Sequence, residues 1–517
     1  MSAGFEFKTG TVWLVGAGPG DPGLLTLRGA EVLAAADLVL YDGLVNPLLL
    51  KMTDAVCERT ARIRRDEAAV VPQDQINSRL IEAARSGLNV VRLKGGDPCV
   101  FGRGSEESEA LRDAGISFEI VPGVTAATAA AEYAGFSFTH REVSSAVALV
   151  AGQQASDRLP TSLNAEALAE FPGTLVFYMG LNRIKSLSDQ LVDHGLDPNT
   201  PAAVISEATL PGQRVLVSVL GRIAEDAVEQ KMRPPSLIIV GECVSLKHEP
   251  SWFEQLPLFG LTIAVMRPEE QCVETALRIS RLGGRPVILP MIEVRSVDGP
   301  QLQFAREIIS DLSHFSWVVW TSVNGVHGFF EILSDLELDS RALGHAKLAC
   351  IGPATASALR DYGLNADLVP GEFRGENLAR ELTEKVSAGD EVVWFRADRG
   401  REVIPEMLAA AGIPLQGVVV YRNTDKETPV SEDLEVLVRE QVNWVCLTSP
   451  SIAKRFGQVM MTDSEGAGHF TAQVACISPV TAAAARECGL RVDATADVYT
   501  VDGLLDAIHK AENAKSA

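Results

Sequence analysis

Two hydrophobic patterns alternate along most of the chain. Short apolar runs of strand length, such as TVWLV at 11–15 and LVLY at 38–41, are separated by stretches such as 24–35, in which apolar residues recur at helical spacing. Strands alternating with amphipathic helices predict an α/β architecture built on largely parallel sheets. The pattern breaks once, at SLKHEPSWFEQLPLFG (245–260). This stretch places two prolines and several charges between the apolar run 236–244 and a fresh run at 261–265, and the main domain boundary is expected there. Within the first half the rhythm changes near 141–145. Short strands ending in glycine-rich turns (90–94, 118–121) give way to longer ones (174–179, 214–220), so two subdomains are expected.

The second half repeats itself at a displacement of 126 or 127 positions. WVVWTS at 317–322 returns as WVCLTS at 444–449, LACIGPATA at 348–356 returns as VACISPVTA at 474–482, and Gly363-Leu364 returns as Gly489-Leu490. Each copy holds a strand ending in Thr-Ser and another ending in a Pro-x-Thr-Ala turn that opens a helix. Ligands of open α/β sheets bind outside such strand ends, so two facing lobes would enclose a cleft lined by both sets of turns. Taken singly, these hydroxyl residues are equally readable as helix caps.

Composition narrows the class. At roughly 150 residues per domain, 517 residues imply three or four domains. An apolar content of 46% is that of an ordinary globular chain, so every part is expected to fold around a core. The net charge of −22 is shared by both halves, and neither half reads as a nucleic-acid binder, which needs a basic face. Eight cysteines form no C-x-x-C pair or zinc spacing, which points to reduced core residues and to no structural metal. No stretch of signal-peptide type opens the sequence and no apolar run approaches ~18 residues, so a cytoplasmic protein without membrane partners is expected.

Three turns carry candidate chemistry. VGAGPGDP at 15–22 follows a strand and precedes a helix, inviting a dinucleotide-binding reading. The third glycine of that fingerprint is replaced by Asp21, and Pro19 and Pro22 rigidify the turn; Asp42, at the end of the next strand, sits where a ribose-binding acid would. VRLKGGDPCVFGRG at 91–104 puts adjacent glycines at a strand end, where a ligand can approach the backbone, and an aspartate able to accept from ribose hydroxyls or an ammonium. VPGVTA at 121–126 repeats the plan of strand, tight turn and polar helix start.

Together with LYDGLV around Asp42, FTHR at 138–141 and YMG at 178–180, these turns resemble the uroporphyrinogen-III C-methyltransferases, a branch of the S-adenosylmethionine-dependent tetrapyrrole methylases; the likeness spans 11–246. The resemblance implies a two-subdomain fold (10–140 and 141–247), a homodimer formed through this half, and methylation of uroporphyrinogen III at C2 and then C7 to give precorrin-2. It places Pro19, Gly95, Gly96, Asp97, Val100, Thr125, Ala126, Met179 and Ala208 at the cofactor, and Asp42 as acceptor of the proton that leaves the macrocycle. One span departs from the family. Where its members read Gly-Lys-Arg-x-Gly-x-His, this chain has IRRDEAA at 63–69, and Arg64 stands in for a lysine assigned as proton donor. With a pKa above ~12 an arginine does not donate protons usefully, but its planar fork suits a substrate carboxylate.

From 260 onward TSVNGV (321–326), IGPATASAL (351–359), FRADRGRE (395–402), VVVYRN (418–423), TSPSIA (448–453) and ISPVTAAAA (477–485) resemble uroporphyrinogen-III synthase, a two-lobed α/β enzyme. That implies a linker at 248–259 and a synthase at 260–512, with one lobe from 260–294 and 424–512 and the other from 295–420. The implied reaction closes hydroxymethylbilane to uroporphyrinogen III while inverting the last ring. Unassisted closure gives the uninverted isomer, so the protein's task is mainly to hold a polycarboxylate in one conformation. Ser322, Thr355, Ser449, Ser451 and Thr481 lie at helix starts suited to that task. Tyr421 matches a tyrosine proposed to assist hydroxyl departure, and a structural anchor is the equal alternative. With a polyanionic substrate and an acidic protein, Arg28, Arg64, Arg141 and Arg399 are expected to offset the field locally. The function so read is a bifunctional enzyme of tetrapyrrole biosynthesis; the alternative is an active methyltransferase whose second half survives as a tetrapyrrole-binding or docking module.

Overall fold

The computed structural model describes residues 10–60, 71–152, 164–400, 402–426, 430–462 and 471–516. It divides into two compact units, Met1–Val265 with Val273–Ile288 and Glu440–Trp444, and Met266–Cys272 with Leu289–Arg439 and Val445–Ala517.

In the first unit β1 (Thr11–Gly16), β2 (Leu38–Tyr41), β3 (Val56–Arg59), β4 (Val90–Lys94) and β5 (Ser117–Val121) form a parallel sheet in the order β3-β2-β4-β1-β5. β1 and β4 are buried along their whole length, which is why they read as continuous apolar runs rather than alternating ones. All the candidate turns of this half follow the carboxyl ends of β1, β2, β4 and β5. The amphipathic run at 24–35 resolves into a 3₁₀ turn, Pro22–Leu24, capped by Asp21, and a helix, Leu27–Ala34, whose first-turn amide at Gly29 is capped by Thr26.

The second sheet departs from the expected parallel plan. Its strands β6 (Val147–Ala151), β7 (Thr174–Tyr178), β8 (Pro201–Ser206), β9 (Arg214–Val219) and β10 (Ser236–Val240) run in the order β6-β7-β10-β8-β9, with only β6 and β7 parallel. The cause is the short connection between β8 and β9, too brief for a crossover helix, so the strand must return as a hairpin. The apolar run at 236–244 ends as a strand at Val240 and continues as a 3₁₀ helix, Glu242–Leu246. β11 (Thr262–Val265) and β12 (Arg285–Ile288) pair in parallel in the same unit.

The stretch read as a linker is packed. Ser251, Phe253 and Leu258 are buried, with Leu258 donating its amide to the Leu282 carbonyl.

In the second unit β13 (Ile292–Ser296), β14 (Trp317–Trp320), β15 (Lys347–Cys350), β16 (Val392–Ala397) and β17 (Leu415–Asp425) form a sheet in the order β13-β17-β16-β14-β15, parallel except for β13 against β17. Trp320, Phe329 and Phe395 pack against one another in its core. β18 (Trp444–Leu447), β19 (Gln473–Cys476) and β20 (Ala494–Thr495) follow, with β19 and β20 parallel. The internal repeat is structural down to single bonds. Asp367 accepts from the Leu348 amide at 2.8 Å, and Asp493, 126 positions on, accepts from the Val474 amide at 3.0 Å.

Candidate functional site

In the first unit three glycine backbones interlock at the carboxyl edge of the parallel sheet. A Cβ on Gly16 would lie 2.5 Å from Gly123 Cα and 2.7 Å from the Gly96 carbonyl oxygen, so the approach admits no side chain. Gly18 and Gly96 exchange amide-to-carbonyl hydrogen bonds at 3.2 and 2.8 Å. Gly96 has φ +70°, a conformation glycine takes without strain. Around this floor stand Thr125, whose hydroxyl is 2.6 Å from Tyr178 Oη, and Phe101, whose ring centroid is 4.8 Å from that of Tyr178. Pro19, Gly95, Val100, Ala126, Met179 and Ala208 flank these contacts in sequence. Phe101, Met179, Glu207 and Thr209 are non-glycine residues in the left-handed region; Phe101 adjoins Val100, Glu207 and Thr209 flank Ala208, and Met179 is itself one of the expected residues. Such strain persists only where the surroundings enforce it and gathers at binding sites.

Asp97, expected at the cofactor, also has a structural part. Its two carboxylate oxygens accept from the backbone amides of Cys99 (2.8 Å) and Gly123 (3.0 Å), so it clamps two turns together. Sequence gives no hint of the Gly123 bond because that partner lies 26 positions away.

Asp42 follows β2 and is partly exposed. It is backed by a buried ion network that sequence reasoning missed: Arg92 bonds Asp42 and, at 3.0 Å, Glu107, while Lys94 Nζ is 3.0 Å from Glu107 and 4.0 Å from Asp42. The Thr60 hydroxyl donates to Asp42 at 3.1 Å. Arg92, Lys94 and Glu107 are nearly inaccessible, and the second Glu107 oxygen has no hydrogen-bond partner among the described residues. Burial, and then the neighbouring Arg92 cation, push the Lys94 ammonium below its ordinary range. The missed signal was a pair of cations inside the apolar strand VVRLK, where a charge needs a buried partner.

The candidate cations fare unevenly. Arg28 gives two bonds to Glu119, at 3.0 and 2.8 Å, and one to Glu31; two acidic neighbours already hold the guanidinium that was expected to meet substrate. Arg141 is exposed on the turn closed by the His140–Ser144 bridge. Arg399 is 3.1 Å from Asp425 and 4.0 Å from Asp398. Arg64 lies outside the described residues.

In the second unit Ser322 caps the helix Val323–Asp335 through the Gly325 amide, and its hydroxyl is 2.9 Å from Tyr421 Oη. Tyr421 is nearly buried. Burial pushes its phenol above the ordinary value against the opposing hydrogen bonds of Ser322 and Asn423, so it stands as a neutral O–H. Ser449 repeats the role of Ser322 by accepting from the Ile452 amide, and Ser451 sits in the first turn of the same helix, Pro450–Thr462. Thr355 and Thr481 are not caps. Gly352 and Ser478 occupy the cap positions, and both threonines lie in the first turn of their helices, 3% and 1% exposed; the Thr481 hydroxyl meets Ser478 at 3.1 Å. A further contact invisible in the sequence joins Arg374 to Tyr499 at 2.7 Å.

No group of three or more potential metal ligands occurs among the described residues, and no helix among them is long and apolar enough to cross a membrane.

Comparison with known proteins finds matches to both halves of the chain. Residues 11–224 match the model of the tetrapyrrole (corrin/porphyrin) methylases, and residues 273–506 that of uroporphyrinogen-III synthase HemD. The porphyrin biosynthesis protein HemD of Ruminiclostridium josui is 35% identical over 499 residues, covering 96% of this chain and 97% of that protein. The uroporphyrinogen-III C-methyltransferase of Bacillus subtilis (strain 168) is 36% identical over 356 residues, 69% of this chain and 72% of the relative. Among solved structures, native uroporphyrin III C-methyl transferase from Thermus thermophilus covers 46% of this chain and 94% of its own, at 38% identity and a TM-score of 0.40. The chain thus belongs to two families in series, a tetrapyrrole methylase followed by a uroporphyrinogen-III synthase.

Proposed function

We propose that the chain is a bifunctional enzyme of tetrapyrrole biosynthesis: its second part cyclises hydroxymethylbilane to uroporphyrinogen III, and its first part methylates that product at C2 and C7 to precorrin-2 with S-adenosylmethionine as donor. The observation that carries the methylation reading is the glycine floor of Gly16, Gly96 and Gly123 lying at the same sheet edge as Asp42. The floor suits the cofactor. Backbones cleared of side chains admit a ligand, the Thr125 and Tyr178 hydroxyls offer polar contacts, and the exposed faces of Met179 and Phe101 suit a flat apolar ring.

Bound there, S-adenosylmethionine would supply an electrophilic methyl group. The chain's own contribution is to position and to take up a proton. Asp42 accepts the proton released from the macrocycle, while Arg92 and Thr60 fix its carboxylate and leave part of it open to substrate. Lys94 and Glu107 complete a compact group of two cations and two anions, which keeps the buried charges balanced.

For cyclisation, the neutral Tyr421 phenol donates to the departing hydroxyl, and Ser322 orients it. The helix starts at Ser322 and Ser449 present amides that can hold carboxylates. We place the boundary between the two activities in 248–259 and assign both substrates to small-molecule tetrapyrroles. A homodimer and a cytoplasmic location accord with this reading; gel filtration at matched concentrations tests the former.

The direct test of the methylation half is calorimetric binding of S-adenosylmethionine. Micromolar affinity supports the assignment; binding of NAD in its place would return the first turn to the dinucleotide class.

A further inference from the structure

The connecting segment does more than join two enzymes. Gly135 has φ +90°, and a Cβ there would lie 2.9 Å from the His248 carbonyl oxygen and 3.0 Å from Ser251 Cβ, so the helix Ala126–Ala134 ends where the segment presses against it. Trp252 donates its indole N–H to the Glu132 carbonyl at 3.0 Å. The rings of Trp252 and Phe253 each lie 4.8 Å from that of Tyr133, centroid to centroid, and Phe259 lies 5.3 Å beyond Phe253.

Tyr133 then faces the turn at the end of β1. Its hydroxyl donates to Asp21 Oδ2 at 2.7 Å. The Asp21 amide donates to Thr209 Oγ1 at 3.1 Å, the Thr209 amide to Gln213 Oε1 at 2.9 Å, and Gln213 Nε2 to the Tyr133 carbonyl at 3.1 Å, which closes a ring of bonds. Gly20 is held from the other side by Asn46 at 2.8 Å. Pro19, Asp21 and Ala208, beside Thr209, are therefore fixed by one network whose outer wall is the connecting segment.

We propose that Trp252 and Tyr133 are positioning residues for the cofactor turn of the methylating half: the segment 248–259 holds the Tyr133 ring, and Tyr133 holds Asp21 and with it the turn at 18–22. The proposal rests on reading that turn as a cofactor site. A turn held in its binding conformation loses less freedom when a ligand arrives, so the segment acts on cofactor affinity and not on the chemical step. It also explains why a stretch of linker composition buries Phe253 and Leu258.

The test uses the full chain with Tyr133→Phe, which removes one hydroxyl, and Trp252→Ala, which trims a side chain that is 51% exposed and leaves little cavity. Three readouts are taken: the calorimetric dissociation constant for S-adenosylmethionine, hydrogen exchange of the Gly18, Gly20 and Asp21 amides without ligand, and uroporphyrinogen III formation by the same molecules. Each variant is expected to weaken cofactor binding by about tenfold, the worth of roughly one hydrogen bond, and to speed exchange at those amides. kcat at saturating cofactor stays within about twofold, and uroporphyrinogen III formation is unchanged. The double variant should be little worse than either single one, because both act through one network. Unchanged dissociation constants in both variants overturn the proposal, as does a parallel fall in affinity, kcat and uroporphyrinogen III formation, which marks general damage. Failure of the unaltered chain to bind S-adenosylmethionine overturns the underlying cofactor reading instead.

Discussion

Asp42 carries the proton-transfer assignment, and its setting makes the consequence of losing it specific. Asp42→Asn keeps the shape and a contact to Thr60 but removes the proton acceptor, so methylation should fall by about 10²-fold or more with S-adenosylmethionine affinity unchanged. Unaltered turnover would remove Asp42 from the mechanism. Asp97→Ala, by contrast, opens the clamp between the Cys99 and Gly123 amides and should weaken cofactor binding through loss of turn geometry. Asp97→Asn, which keeps acceptor capacity on one oxygen, should lose less, and equal losses would contradict the clamp. In the second unit, Tyr421→Phe should slow cyclisation by about tenfold while preserving ring inversion, since the phenol serves only departure of the hydroxyl. A wild-type rate would leave Tyr421 a structural residue. At this scale the sequence was a partial guide. Asp42 and the glycines announce themselves through local motifs, whereas Arg92–Glu107 and Tyr133–Asp21 join residues 15 and 112 positions apart that no spacing rule connects.

At the scale of elements, the candidate hydroxyls of the second unit divide into caps and packed residues. Both repeats place a serine at the cap, Ser322 and Ser449, and a threonine inside the next helix of the copy, Thr355 and Thr481. A Pro-x-Thr sequence looks the same whether the threonine caps or packs, and only burial separates the two. Thr355→Ala and Thr481→Ala should therefore reduce thermal stability by about 1 kcal/mol each and leave the ratio of uroporphyrinogen III to I unchanged. A rise in the I isomer would place them at the substrate instead. Ion pairs tie elements together in the first unit. Arg28 joins the helix Leu27–Ala34 to β5 through Glu119, and Arg79 joins the helix Gln73–Arg85 to β3 through Glu58. Those arginines hold the Glu119 and Glu58 carboxyls below the ordinary 4.5. The folded state thus prefers the ionised form, and its contribution is complete above about pH 5 and lost as pH falls through the lowered values. Melting temperature should drop with acidification in that window, less steeply in Arg28→Gln and Arg79→Gln. Identical slopes would show that these pairs carry no linkage. The parallel first sheet followed from its alternating pattern. The antiparallel strands β8, β9 and β10 did not, because a buried strand reads the same in either direction and only its connections decide.

At the scale of the whole molecule, Asp42 lies in the first unit and Tyr421 in the second, so the two activities should separate by mutation. Asp42→Asn should leave cyclisation intact, and Tyr421→Phe should leave methylation of supplied uroporphyrinogen III intact. The central claim is that one chain performs both steps in order. The measurement that tests it most directly is to supply hydroxymethylbilane to the purified chain with and without S-adenosylmethionine and identify the products. The account predicts uroporphyrinogen III without the cofactor and precorrin-2 with it. Formation of uroporphyrinogen I alone, at the uncatalysed rate, while supplied uroporphyrinogen III is still methylated, would contradict it and leave the second unit a docking module.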